Sequence, residues 1–185
     1  MIKLVRANPF FVIPLPRSAA SSETSQVKTD EYEMFYLQWL LHPTPTSSGP
    51  PSTEPLPPTA SAIFTPLEEF KKAGEWAQPY LVLTHYPDLA NSHGTVLMRG
   101  EISSASAGGP DGSDLNPGYL LSQPQAQLLA LALQRFYCAG IEVAGEGQAG
   151  KEDRVKRQEA LIGFRERPQE WDWSGLVGMA YGGLV

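Results

Sequence analysis

Residues Leu121 to Val143, reading LSQPQAQLLALALQRFYCAGIEV, constrain the fold of this chain more than any other stretch. Ser122 is a helix-capping residue, and Gln125 stands three places on, where it closes a capping box. Pro124 falls in the first turn, where its missing N–H costs nothing. Gln125 to Ala139 is rich in Ala, Leu and Gln, all good helix formers. Gly140 suits a left-handed C-terminal cap, and Arg135 suits the negative end of the helix dipole. Ala126, Leu129, Leu133, Phe136 and Tyr137 make one apolar face, and Leu128, Leu131, Ala132 and Cys138 carry apolar character round most of the circumference. A helix apolar on nearly all sides is buried on more than one. It is too short and too rich in Gln to span a membrane. Ile141 to Val143 reads as a short strand behind it, so the helix is expected to lie across a sheet.

Candidate strands for that sheet are spread along the chain. Ile2 to Val5 and Phe10 to Ile13 read as two short strands near a sheet edge, where proline is tolerated. Glu31 to Leu41 carries Tyr32, Phe35, Tyr36 and Trp39, which favour a strand paired with Phe10 to Ile13. A capping-box spacing at Asp30 and Glu33 supports a helix there instead. Tyr80 to Tyr86 and Thr95 to Ser103 read as two more strands. In the second, Val96, Met98 and Ile102 share one face and Thr95, Arg99, Glu101 and Ser103 share the other, so one side is expected to be buried. Gly100 suggests a bulge. Thr65 and Glu68 are spaced to cap a short helix from Pro66 to about Ala73, ending at Gly74. Lys151 to Ile162 reads as a charged helix ending near Gly163. The expected class is α+β: a mostly antiparallel sheet of four to six strands packed by one central helix (about 123–139), which lies over 80–86 and 95–103. A small β-barrel with attached helices is the alternative.

The chain reads as a single domain, 1–185, with two insertions and a distinct end. Insertions at about 43–62 and 104–117 are too rich in Pro, or in Gly and Ser, to bury a core, and are expected to be disordered. Pro55-Leu56-Pro57-Pro58 is formally a PxxP motif, but no Lys or Arg flanks it, and it reads as a spacer. The charged helix and an apolar tail fill 151–185. Residues 1–22 carry Lys3, Arg6 and Arg17 and no acid, the charge pattern of a targeting peptide. Pro9, Pro14 and Pro16 interrupt any amphipathic helix there. A cytoplasmic or nuclear location is therefore expected, with mitochondrial or secretory targeting by residues 1–22 as the alternative.

Function is approached by exclusion. A net charge of −6 disfavours a general nucleic-acid binder, which needs a basic surface to displace counterions. Cys138 is the only cysteine, so no internal disulfide or cysteine-based metal cluster can form. There is no G-x-S-x-G elbow, no Walker loop and no G-x-G-x-x-G after a strand. The glycines of Ala144 to Gly150 lack the Lys and Ser/Thr of a phosphate loop and read as a hinge. Nothing points to a cofactor.

Three sets of residues remain as candidates. His85, Asp88 and His93 are metal-ligating types at a strand end and the loop after it, and would serve a metal- or acid/base-dependent enzyme. Arg165 and Arg167, with the Trp pair that follows, would serve a weak nucleic-acid-binding module using 151–173. The third set is the end of the chain, which carries no charged side chain after Asp172. Such a tail is either a core strand or the surface a partner buries. Trp171, Trp173, Leu176, Val177, Met179 and Tyr181 are its candidate partner-binding residues. The function expected first is a non-catalytic protein-interaction subunit of a larger complex, with another protein subunit as partner and no transmembrane segment.

Overall fold

A computed structural model describes residues 1–16, 32–43, 56–105, 118–141 and 145–182. Five strands pair antiparallel in the order in which the chain makes them: β1 (Phe10–Pro16), β2 (Tyr32–Leu41), β3 (Ala60–Pro66), β4 (Leu81–Tyr86) and β5 (Leu97–Ile102). The sheet is open, with β1 and β5 at opposite edges, so the fold is α+β and the barrel alternative is set aside. Among the described residues six α-helices accompany it: α1 (Ile2–Ala7), α2 (Leu67–Ala73), α3 (Ala90–His93), α4 (Gln123–Tyr137), α5 (Gln148–Glu166) and α6 (Leu176–Tyr181).

The pairing of β2 with β1 is the one expected, with Phe11 opposite Leu37 and Ile13 opposite Phe35. β1 runs through Pro14 and Pro16, which an edge strand tolerates because its outer side has no ladder to feed. Ile2 to Val5, expected as a strand, is helical instead. Val5 is buried, and the Asn8 backbone and side-chain amides both donate to the Leu4 carbonyl, which closes the helix end. β3 begins at Ala60, inside the stretch expected to be insertion. Its small residues hide it in the sequence and explain it in the sheet: Ala62 lies between Trp39 and Leu83, and Ala60 between Leu41 and His85. Bulk on the flanking strands fills the space that alanine leaves. Thr65 belongs to β3, and Pro66, not Thr65, precedes α2, so the expected Thr65–Glu68 box does not form. Gly74, at φ +58°, ends that helix in a conformation glycine adopts without strain.

α4 starts as its sequence dictates. The Ser122 hydroxyl accepts from the Gln125 amide, and Gln125 Oε1 accepts from the Ser122 amide at 2.8 Å. Leu129, Ala132, Leu133, Phe136 and Tyr137 are its buried face. Its position differs from the expected one. α4, α5 and α6 all pack on β1. Phe11 is the hub, with ring centroids of Phe136, Phe164 and Trp171 at 5.0, 5.4 and 5.7 Å. The helices therefore gather at the β1 side of the sheet, and β5 is exposed along nearly its whole length.

The charged helix is longer than expected, and α5 continues through Gly163. A Cβ at Gly163 would stand 3.1 Å from the Trp171 ring, so glycine there lets the indole lie on the helix. The apolar tail forms neither of the expected structures cleanly. It is the helix α6, and Leu176, Ala180 and Tyr181 bury themselves against the chain's own core. Ile141 is an exposed bend residue, and residues 142–143 of the expected strand lie outside the described residues. So do 44–55 and most of 104–117, where the two insertions were expected.

Candidate functional site

His85, Asp88 and His93 are not brought together. His85 is on the inward face of β4, as its alternation with Leu81 and Leu83 requires, and is buried. Its Nδ1 is 3.3 Å from the Ala60 carbonyl, and its ring lies 5.4 Å from that of Trp39. Burial lowers its pKa below the usual histidine value, because a charged imidazole would lose its hydration there. His93 ends α3 on the surface, with Nδ1 2.8 Å from the Ser92 hydroxyl. Among the described residues no group of three or more His, Cys, Asp or Glu side chains is placed to hold a metal ion. The physical reason is direction: β4 points His85 into the core, while the loop carries Asp88 and His93 outward.

Arg165 and Arg167 are both exposed at the end of α5. Arg165 donates to the Ala7 carbonyl at 3.2 Å and to Glu166 at 2.6 Å, and both uses tie it to the fold. Cys138 is half-buried, and desolvation pushes its thiol pKa up, away from the thiolate a nucleophile needs.

The C-terminal set is divided by its packing. Leu176 and Tyr181 are in the core, Val177 and Met179 pack partly against it, and Trp171 sits on Phe11 and Phe164. Trp173 alone is largely exposed, its ring 5.9 Å from that of Tyr32.

β5 carries an accessible apolar stretch that its sequence pattern does not mark as exposed. β5 shares a ladder with β4 through the pairs Leu81–Ile102, Leu83–Gly100 and His85–Met98. The inward partners on β4 are buried, yet Met98 is 40% exposed. Leu97, on the other face, is 53% exposed, and Val96 just before it 46%. Along its outer edge β5 pairs with no other strand among the described residues. The exposed pair Arg99–Glu101 at 2.9 Å is its charged dressing. The alternation in TVLMRGEIS signalled a strand; whether a helix layer covers it depends on where α4 packs, which alternation does not encode.

No helix among the described residues is long and apolar enough to cross a membrane. Among the described residues the fold is an open α+β sheet with an apolar β5 edge that bears no further strand, while 103–105 just beyond it pair with 118–120. The chain belongs to the ATP11 family: the family model described as ATP11 protein matches residues 1–177. It is 30% identical over 139 residues to "Protein atp11, mitochondrial" of Schizosaccharomyces pombe, an alignment that takes in 75% of this chain and 36% of that protein. The chain thus spans little more than a third of that relative's length. The expected cytoplasmic or nuclear location is corrected, because the relative is a mitochondrial protein by name.

Proposed function

We propose that this protein is a mitochondrial assembly chaperone of the ATP synthase, holding an unassembled subunit through the open edge of its sheet. Membership in the ATP11 family supports the assembly role. The observation that carries the mode of binding is β5, an edge strand with exposed Leu97 and Met98 and no lysine or proline to blunt it. Proteins that do not use such an edge protect it, because its unpaired N–H and C=O groups recruit any extended chain. Strand addition couples those backbone groups to a partner strand, while alternate side chains select the partner. A holding role needs no reactive group, only a surface that an incompletely assembled subunit can occupy and then leave.

The test is capture of ATP synthase subunits from mitochondrial extract by the immobilised protein, compared with a Leu97→Lys/Met98→Lys variant. Both side chains are exposed, so the variant's stability should change by no more than about 0.5 kcal/mol per site. Capture should fall about tenfold or more. Undiminished capture by the folded variant would remove β5 from the interface, and capture of no ATP synthase subunit by the wild type would sink the assembly role.

A further inference from the structure

Beside α1 lies a groove of about 820 Å³ that joins basic to apolar side chains. One wall is the α1 face bearing Ile2, Lys3 and Arg6. The others are the end of β2 at Leu41 and His42 and the approach to β3 at Leu56 to Pro58. Lys3 and Arg6 are three residues apart on a helix and so project side by side. Val5 is buried, which fixes the helix rotation that turns the two cations outward. His42 is held by its Nε2, 2.9 Å from the Ser61 hydroxyl, which in turn is 3.0 Å from that of Thr84. Among the described residues no carboxylate lines the groove, and neither Lys3 nor Arg6 makes an ion pair.

We propose that this groove is a second docking site, taking an acidic, partly apolar segment of a partner protein. The groove joins two cations to an apolar lining, the complement of such a segment. The protein as a whole carries −6, so two cations at one concave place with no ion-pair partner among the described residues run against its overall field. A long polyanion such as nucleic acid would be repelled by the rest of the surface, whereas a short segment meets only the local cations. A membrane surface is flat and cannot follow a groove walled on both sides by proline and helix. An extended or helical segment can lay aliphatic side chains on Ile2, Leu41 and Leu56 while its carboxylates reach Lys3 and Arg6.

Position strengthens the assignment. Leu41, Ala60, His85 and Met98 stand in register across β2, β3, β4 and β5. The groove therefore opens at the same end of the sheet as Met98, about 14 Å away at the usual spacing between strands. A partner strand on β5 that continues past this end comes within reach of the groove. The ligand class follows from the groove's own side chains and does not depend on which protein β5 holds.

The test uses the full chain and a pair of short fluorescent peptides of Leu, Ala and Glu, or of Leu, Ala and Lys in the same order. The Glu peptide should bind, weaken with added salt, and outcompete the Lys peptide. Lys3→Glu/Arg6→Glu should weaken the Glu peptide by about tenfold and favour the Lys peptide, with Lys3→Gln/Arg6→Gln in between. Circular dichroism and the unfolding midpoint establish that the variants fold. The Leu97→Lys/Met98→Lys variant should bind the Glu peptide as wild type does, so failure of the edge reading and failure of this one are separate results. The proposal is overturned if the wild type binds neither peptide, if the charge-reversed variant binds the Glu peptide unchanged, or if phosphatidylserine vesicles bind the wild type and displace the peptide.

Discussion

Tyr181 donates its phenolic hydrogen to the Pro14 carbonyl at 2.7 Å, joining residues 167 positions apart in the chain. The bond is buried, and burial also raises the phenol's pKa well above its usual value, so the hydroxyl stays a donor. It fastens α6 to β1 and makes the end of the described chain part of the core. Tyr181→Phe keeps the ring's packing and leaves the carbonyl without that donor. The expected cost is about 1–2 kcal/mol, seen as a lower denaturation midpoint with an unchanged slope. No loss of stability would mean that α6 is not docked as described.

A second tether is tested by a different measurement. Arg135, on α4, donates to the Ala180 carbonyl at 2.9 Å and to the Gly182 carbonyl at 2.8 Å, at the C-terminal end of α6. Arg157, on α5, donates to the Met179 carbonyl at 2.9 Å. These cations meet the negative end of a helix dipole and satisfy carbonyls that a six-residue helix leaves unpaired. Arg135→Ala should release α6 before the rest of the fold. Amide hydrogen exchange from Leu176 to Tyr181 should speed up while exchange in β2 and β3 stays slow. Uniform acceleration across both regions would contradict a local role.

How much was readable beforehand follows from where each signal resides. α4 was legible because its cap, its propensity and its apolar face all lie within one window of sequence. β2 and β4 were legible by aromatic content and alternation, and the inward direction of His85 followed from the second. α6 was not legible as a helix: its glycines weaken it, and its helicity rests on burying Leu176, Ala180 and Tyr181 against elements far away in sequence. The start of β3 was hidden because Ala60 and Ala62 resemble linker residues until Trp39, Leu83 and His85 are placed around them. The β5 edge was half legible, as a strand but not as an uncovered one. The groove required knowing that residues 2–7 are helical, since only a helix sets Lys3 and Arg6 on one face.

The capping box of α4 offers the most local prediction. Ser122→Ala removes the acceptor for the Gln125 amide and should cost about 1 kcal/mol, whereas Ser122→Asp should cost little. Gln125→Ala removes the reciprocal half. Because the two side chains act on one another at 3.0 Å, the double variant should lose less than the two single losses added together. Strict additivity in urea unfolding would show that the two halves work independently.

The last prediction concerns pH. His85 has a folded pKa below its unfolded value of 6.5, chiefly through burial, with backbone contacts to Ala60 and Leu83 opposing the shift. Above pH 6.5 the imidazole is neutral in both states and contributes no pH dependence. Below it the unfolded chain takes up a proton that the folded protein refuses, so stability falls as pH drops from 6.5 toward the lower folded value. Carboxylates elsewhere also titrate toward acid, so the comparison is with His85→Gln, which keeps them. Between pH 7.5 and 5.5 the wild type should lose more unfolding free energy than the variant in matched denaturant titrations. Equal losses would place His85 in solvent, and a wild type that gains stability on acidification would mean that the ring is held charged, against its position among Trp39, Ala60 and Leu83.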